Sequence, residues 1–160
     1  MKINNLFVAT VIFLFASIAT SCSDGKIEFD RDTFDKEHSK WLAQGIEDYT
    51  FSYKSFSSAT GPISFTIVVR NGKVESVGGD KEYFNPPFTG ISELFDDVAS
   101  VYEKHKQGVD KNELKSVTIK IKYNTEYHYP QMISYSVGYK EEIDGGYYYN
   151  FEVTDFELLK

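Results

Sequence analysis

The stretch from Pro62 to Gly79, "PISFTIVVRNGKVESVGG", carries the clearest structural signal in the chain. Its first half alternates apolar and polar side chains, which is the period-two pattern of a strand with one buried face. Asn71 and Gly72 interrupt this alternation, and both tolerate the positive φ angles of a two-residue turn between antiparallel strands. We therefore predict a hairpin in which Val69 lies opposite Val74.

Four other segments alternate in the same way and are predicted to be strands. In each of them apolar or aromatic residues recur at every second position, with mostly small polar or charged residues between them. The segments are YTFSYKSF at 49–56, SVTIKIKY at 116–123, ISYSVGY at 133–139 and YYYNFEVTDFELL at 147–159. With the two strands of the hairpin, the chain is predicted to form about six strands.

Two segments show the spacing of amphipathic helices. The first spans about residues 32–47, follows Asp30, and carries Trp41 on its apolar stripe. Acidic residues at its start suit the positive end of the helix dipole. The second is ISELFDDVASVYEKHKQG at 91–108, where Gly108 is predicted to end the helix.

The predicted order is α-β-β-β-α-β-β-β, which indicates an α+β fold with two helices on one face of an antiparallel sheet. Short connections between consecutive strands favour antiparallel meanders. Strict alternation indicates strands that are buried on one side only, since doubly covered parallel strands read as continuous apolar runs. Residues 31–160 are expected to form this single domain.

The N-terminal residues are typical of an export signal. Lys2 is followed by an apolar run of 14 residues from Leu6 to Ala19, which is too short to span a bilayer about 30 Å thick. Small residues follow this run directly before Cys22, the only cysteine of the chain. This pattern resembles the lipobox of bacterial lipoproteins, which implies that residues 1–21 are a signal peptide and that lipid is attached to Cys22.

Residues 22–30 are then expected to tether the domain to a membrane of the bacterial cell envelope. Within the same resemblance, Ser23 in place of Asp after the cysteine implies the outer membrane, on its periplasmic or surface-facing side. Loss of residues 1–21 removes only Lys2 among the charged residues, so the formal net charge of −7 becomes −8. An acidic chain repels nucleic acid, which is therefore not an expected partner.

Several motifs together resemble a family of bacterial secreted domains of unknown function, many of which are lipoproteins. The matching stretches are Trp41 with IEDYTFSY at 46–53, VVRNGKVESV at 68–77, GISELFDDV at 90–98 and YHYPQMISY at 127–135. The resemblance implies the fold and the exported location but no activity. Many members carry a Cys-x-Cys pair where this chain has SFSSATG at 55–61, so no disulfide or metal role follows from it.

The sequence shows no catalytic, metal-binding or cofactor-binding pattern. The histidines are scattered along the chain without the spacing of zinc ligands. Eight of the twelve tyrosines fall between residues 123 and 149, and tyrosine suits both strand pairing and the recognition of sugars or proteins. The residues predicted as a possible ligand surface are Tyr127, His128, Tyr129, Tyr147 and Tyr149.

These features favour a lipid-anchored envelope protein that binds an envelope protein or glycan and is not an enzyme. Two alternatives stay open. A small envelope hydrolase would need a deep pocket that holds His128 with an acidic residue. A glycan-binding module would need an exposed row of rings on the tyrosine-rich strands.

Overall fold

A seven-stranded sheet with two helices on one face forms the structure, a computed structural model that describes residues 26–57, 61–80, 88–111, 113–140 and 147–160. The predicted α+β class and the order of the elements are confirmed. In chain order the elements are β1 (Lys26–Glu28), α1 (Arg31–Ala43), β2 (Tyr49–Ser57), β3 (Gly61–Arg70), β4 (Lys73–Gly79), α2 (Ile91–Asp110), β5 (Leu114–Tyr123), β6 (Pro130–Tyr139) and β7 (Tyr147–Leu158).

The strand order in the sheet is β1-β5-β6-β7-β2-β3-β4. Two three-stranded meanders lie side by side and join where β7 pairs with β2. The strand count is one higher than predicted, because β1 pairs in parallel with β5. β1 comprises Lys26–Glu28, inside the segment expected to be a tether, and three residues are too few to show a periodic pattern.

The hairpin at the centre of the sequence forms as predicted. Val69 lies opposite Val74, and Asn71 and Gly72 adopt φ angles of 49° and 66°. The backbone N–H of Asn71 also donates a hydrogen bond to the side chain of Asp48 at 2.8 Å. This bond ties the turn to the start of β2.

Helix α1 begins where the acidic residues predict and ends earlier than expected. The carboxylate of Asp30 accepts a hydrogen bond from the backbone N–H of Thr33 at 2.9 Å, which caps the first turn. The helix ends at Ala43, and Gly45 follows with a φ of 60°. A glycine in this left-handed conformation just past a helix is a common stop signal.

The prediction that Gly108 ends α2 is wrong, because the helix continues to Asp110. The reason is packing and not backbone conformation. A Cβ atom at Gly108 would lie 2.9 Å from Cδ1 of Leu114. The residue is therefore small to let the first residue of β5 pack against the helix.

The core lies between the helices and the sheet and is rich in aromatic rings. The ring of Trp41 meets Tyr49, Tyr129 and Phe156 edge-on at 5.7 to 6.4 Å, and its Nε1–H donates to Ser92 at 3.2 Å. Phe34 of α1 meets Phe95 of α2 at 5.5 Å. These contacts fix α1 against both α2 and the sheet.

The opposite face of the sheet carries polar and charged side chains with a few exposed apolar ones. Phe56, Met132 and Tyr148 are the large apolar side chains exposed there. No helix among the described residues has both the length and the apolar content that a membrane span requires.

Candidate functional site

A groove runs between α1 and the outer edge of β5, and we call it the α1–β5 groove. It consists of two depressions of about 280 and 320 Å³ that share Thr33 and Tyr123 as lining residues. The first is lined by Glu28, Phe29, Asp30, Thr33, Ile119, Lys120, Ile121 and Tyr123, and the second by Thr33, Glu37, Lys40, Tyr123, Asn124, Thr125 and His128. The groove therefore follows β5 from Ile119 to Tyr123 and continues along the loop to His128.

The floor of the groove is an open strand edge. β1 pairs with β5 only at Ser116, Val117 and Thr118. β5 continues to Tyr123, and in the described part of the chain no strand pairs with its outer side beyond Thr118. Backbone N–H and C=O groups on such an edge are able to bond to another strand.

The first depression has an apolar inner wall and a charged rim, whereas the second is lined mainly by polar and charged residues. Ile119 is buried, and Ile121 and Phe29 are half-buried and pack against the core. On the rim, Glu28 lies 3.7 Å from the ammonium group of Lys120. The groove thus offers apolar contact inside and charge selection outside.

Tyr123 lines both depressions, and the negative charges of three carboxylates act on its hydroxyl group. Burial raises the pKa of Tyr123, and the negative charges of Glu37, Asp30 and Asp35 raise it further. The hydroxyl therefore stays protonated at neutral pH and is available to donate a hydrogen bond. The pKa of Asp30 is lowered, because its carboxylate accepts the hydrogen bonds that cap α1 at Thr33.

Glu37 joins α1 to the loop between β5 and β6. Its carboxylate lies 2.7 Å from the ammonium group of Lys40 and 2.8 Å from Nδ1 of His128, with only 12% of the side chain exposed. Burial raises the pKa of Glu37, but the hydrogen bonds from Lys40 and His128 outweigh it, so the net pKa lies below the usual value. The Glu37–His128 contact therefore links α1 to the loop at the far end of the groove.

The loop of residues 124–129 is built around the side chain of Asn124. Its Oδ1 accepts hydrogen bonds from the backbone N–H groups of Glu126 and Tyr127 at 2.9 and 2.8 Å. His128 takes a left-handed φ of 63°, which turns its ring towards Glu37. Gln44 donates to the carbonyl of Tyr127 at 2.8 Å and adds a second link to α1.

The structure divides the predicted ligand surface into two groups at opposite ends of the sheet. Tyr127, His128 and Tyr129 precede β6, whereas Tyr147 and Tyr149 begin β7. Tyr129 is buried against Trp41 and Phe156, and Tyr127 is half-buried. The side chain of Tyr147 lies outside the described part of the structure. Of the four whose side chains are described, only His128 lines the α1–β5 groove.

Sequence reasoning missed Thr33, Glu37 and Ile119 as groove residues. Glu37 and His128 are 91 positions apart, and no local sequence pattern predicts that their side chains are in contact. The available signal was the alternation of β5, which identified a strand without showing that it lies near an edge. Cys22, the predicted lipid attachment residue, falls outside the described residues.

A second cavity of about 480 Å³ lies between α2 and the β6–β7 strands. It is lined by Asp97, Val101, Lys104, His105, Tyr135, Tyr139 and Tyr149. Burial raises the pKa of Asp97 and lowers that of His105, so both groups favour their neutral forms more than usual. Within the described residues, no group of three His, Cys, Asp or Glu side chains is arranged to hold a metal ion.

Comparison with known protein families gives a match that covers most of the chain. A protein family described as a family of unknown function (DUF6174) matches residues 33–157. No curated protein sequence matches the chain. The match covers both helices almost completely and the sheet from β2 to β7.

Proposed function

The chain belongs to the DUF6174 family, and we propose that it is a lipid-anchored binding protein of the bacterial cell envelope. It acts by holding a partner protein and not by catalysing a reaction. The open outer edge of β5, set in the α1–β5 groove, is the observation that carries this proposal. Open strand edges with an apolar wall bind extended segments of other proteins by main-chain hydrogen bonds.

The anchor is proposed from Cys22 and its surroundings in the sequence. A second or third acyl chain on this residue gives stable attachment, since one chain anchors only marginally. Lys26 follows Cys22 by four positions, so β1 could lie at most about 14 Å from the proposed lipid attachment residue, the full reach of four residues. β5 runs parallel to β1, which puts Tyr123 at the end of the strand remote from the anchor and open to a partner.

Two alternatives have less support. The Glu37–His128 contact at 2.8 Å favours a hydrolase as the second candidate, but no described hydroxyl group hydrogen-bonds His128 as a nucleophile would. For a glycan-binding module, the tyrosines exposed in the described part would need to form a row. Tyr139 and Tyr148 are exposed, but they belong to opposite faces of the sheet.

The anchor is tested by metabolic labelling with a fatty acid. The wild-type chain is expected to incorporate label and to fractionate with membranes. Cys22→Ala removes the sulfur and should abolish the label, whereas Ser23→Ala, next to it, should leave labelling unchanged. Equal labelling of the Cys22→Ala chain would overturn the anchor.

Partner binding is tested by photo-crosslinking in intact cells. A photoreactive residue replaces Thr33, which is exposed and lines both depressions, and in a control it replaces Ser39, which is exposed on the same helix outside the groove. We expect a discrete protein adduct from position 33 and none from position 39. Adducts of equal yield from both positions, or no adduct from position 33, would contradict the proposed function.

A further inference from the structure

We infer that the occupant of the α1–β5 groove is an extended segment of a partner protein that adds to β5 as a further strand. Its apolar side chains face α1, and its carboxylate side chains face Lys120 and Lys122. This inference rests on the proposed function, because it names the chemistry of the partner at the same groove. It follows from the pairing of β1, the length of the open edge and the charges beside it.

β1 shows which sequence this edge of β5 accepts. Its three residues, Lys26–Glu28, alternate exposed, half-buried and exposed side chains. Ile27 packs against the core, and Glu28 reaches outwards to within 3.7 Å of Lys120. Lys26 and Glu28 are both exposed, so a strand that continues this pattern would place apolar residues inwards and charged residues outwards, with an acidic residue next to Lys120.

The open edge is long enough for an ordinary strand. It runs from Ile119 to Tyr123, which spans about 14 Å at roughly 3.4 Å per residue. Ile119, Ile121 and Phe29 provide apolar surface on the side of α1. A strand in this position gains main-chain bonds and apolar contact together, which an exposed edge without walls does not offer.

The charges on the outward side select an acidic segment. Lys120 and Lys122 alternate with the inward isoleucines, and both are exposed. Among the described residues, no carboxylate lies within 4.0 Å of Lys122. Opposite charges on adjacent strands are stabilising, whereas like charges directly opposite each other are destabilising.

The same lysines disfavour a second copy of the chain as the occupant. Two identical strands that pair across a two-fold axis present the same side chains to each other. With Ile121 near the axis, Lys120 of one copy would lie opposite Lys122 of the other. This like-charge contact opposes self-pairing and favours a partner of opposite charge.

Synthetic peptides test the inference on the purified full chain in detergent. One short peptide alternates Val with Glu, a matched peptide alternates Val with Lys, and a third repeats the Val–Glu peptide with alternate backbone amides N-methylated. Binding is followed by NMR shifts of the backbone amides of residues 119–123. We expect the Val–Glu peptide to bind about ten-fold more tightly than the Val–Lys peptide, and the N-methylated peptide to lose binding.

Charge reversal and groove blocking provide the controls. Lys120→Glu combined with Lys122→Glu changes two exposed residues and should reverse the preference, so that the Val–Lys peptide binds better. Thr33→Trp fills the groove and should abolish the binding of both peptides. Ser39→Trp places the same bulk outside the groove and should change nothing.

The outcomes separate this inference from the proposed function. If position 33 crosslinks to a partner in cells but the wild-type chain binds both charged peptides equally or binds neither, the function stands and the inference is wrong. Equal binding of the N-methylated peptide would also overturn strand addition. Dimers of the purified chain that Thr33→Trp disrupts would assign the groove to a second copy and contradict the inference.

Discussion

At one edge of the sheet β4 is short and bulged, whereas at the other edge β5 runs for ten residues and β1 covers only three of them. The register of β4 against β3 shifts between Val68 and Val69. None of its seven residues is buried. A bulge and charged side chains are common means of keeping an edge strand from pairing with other chains.

β5 differs in what surrounds it and not only in its length. Its outer side faces α1, which supplies a wall, and its inward residues belong to the core. A strand added to β4 would bury little apolar surface, whereas one added to β5 would bury a row of it. Both halves of the chain consist of a helix followed by three strands. The helix that lines the outer side of β5 is α1, which belongs to the other half of the chain.

The largest effect is expected from the residue that holds α1 in place. Trp41 is 3% exposed and contacts both the sheet and α2. Trp41→Ala should lower the free energy of unfolding by about 3–5 kcal/mol and abolish the groove as a binding site, as measured by urea denaturation and peptide titration. Leu42→Ala, at a neighbouring exposed position, should change stability by less than about 0.5 kcal/mol, and a similar loss there would contradict this role.

A smaller effect is expected at the end of β4. Gly79 has a φ of 93°, and a Cβ atom there would lie 2.3 Å from the carbonyl oxygen of Ser64. Gly79→Ala should destabilise the fold by about 1–3 kcal/mol and increase amide exchange in β4 while leaving β5 unchanged. A Cβ atom at Gly72 would have no other atom within 4 Å, so Gly72→Ala should lower the free energy of unfolding by less. Equal losses of stability for the two variants would show that the close approach of Gly79 to β3 is unimportant.

The link between α1 and the 124–129 loop should contribute less to the free energy of unfolding than the glycine at position 79 does. Glu37→Gln removes the charge that holds Lys40 and His128 and should lower the free energy of unfolding by about 1 kcal/mol, since the glutamine amide oxygen still accepts a hydrogen bond, although a weaker one. Amide exchange in residues 124–129 should rise. Glu157→Gln removes a carboxylate from an exposed position and should leave that loop unchanged.

The same substitution should alter the dependence of stability on pH. Because folding lowers the pKa of Glu37, its contribution is complete above the unfolded pKa and is lost as the pH falls through the folded pKa. Between about pH 5 and pH 3, the wild-type chain should therefore lose more stability than Glu37→Gln does. Parallel pH profiles for the two chains would show that Glu37 is not stabilised by its partners.

The smallest effect is expected from the ion pair between β1 and β5. Glu28 and Lys120 are half or more exposed at 3.7 Å, and exposed pairs of this kind contribute less than about 1 kcal/mol. Glu28→Gln should lower the free energy of unfolding by no more than about 0.5 kcal/mol, as measured by urea denaturation in low salt. A loss above about 2 kcal/mol would mean that β1 depends on charge and not on Ile27.

The fold was predictable to the extent that local chemistry determines it. Alternation identified five of the longer strands, and the Asn71-Gly72 turn predicted β4 and the hairpin register at Val69 and Val74. β1 was not predicted because its three residues are too few to show a periodic pattern, and its pairing with β5 joins segments about 90 positions apart. The end of α2 was predicted wrongly at Gly108, because this residue is small to make room for Leu114 and not to stop the helix.

The groove was not predictable from the sequence, because its two sides come from distant parts of the chain. Thr33 lies on α1 and Tyr123 at the end of β5, and only the tertiary fold brings them to one groove. His128 was identified as a possible site residue from its loop. Its partner Glu37 looked like an ordinary helix residue.

Amide hydrogen exchange along β5 of the full chain tests the central claim most directly. In an edge strand every second N–H points away from the sheet and exchanges with solvent. We predict slow exchange through Ser116–Thr118, where β1 and β6 flank the strand, and alternating fast and slow exchange through Ile119–Tyr123. Uniformly slow exchange from 116 to 123 would mean that the edge is already covered, which would contradict a partner site at this groove.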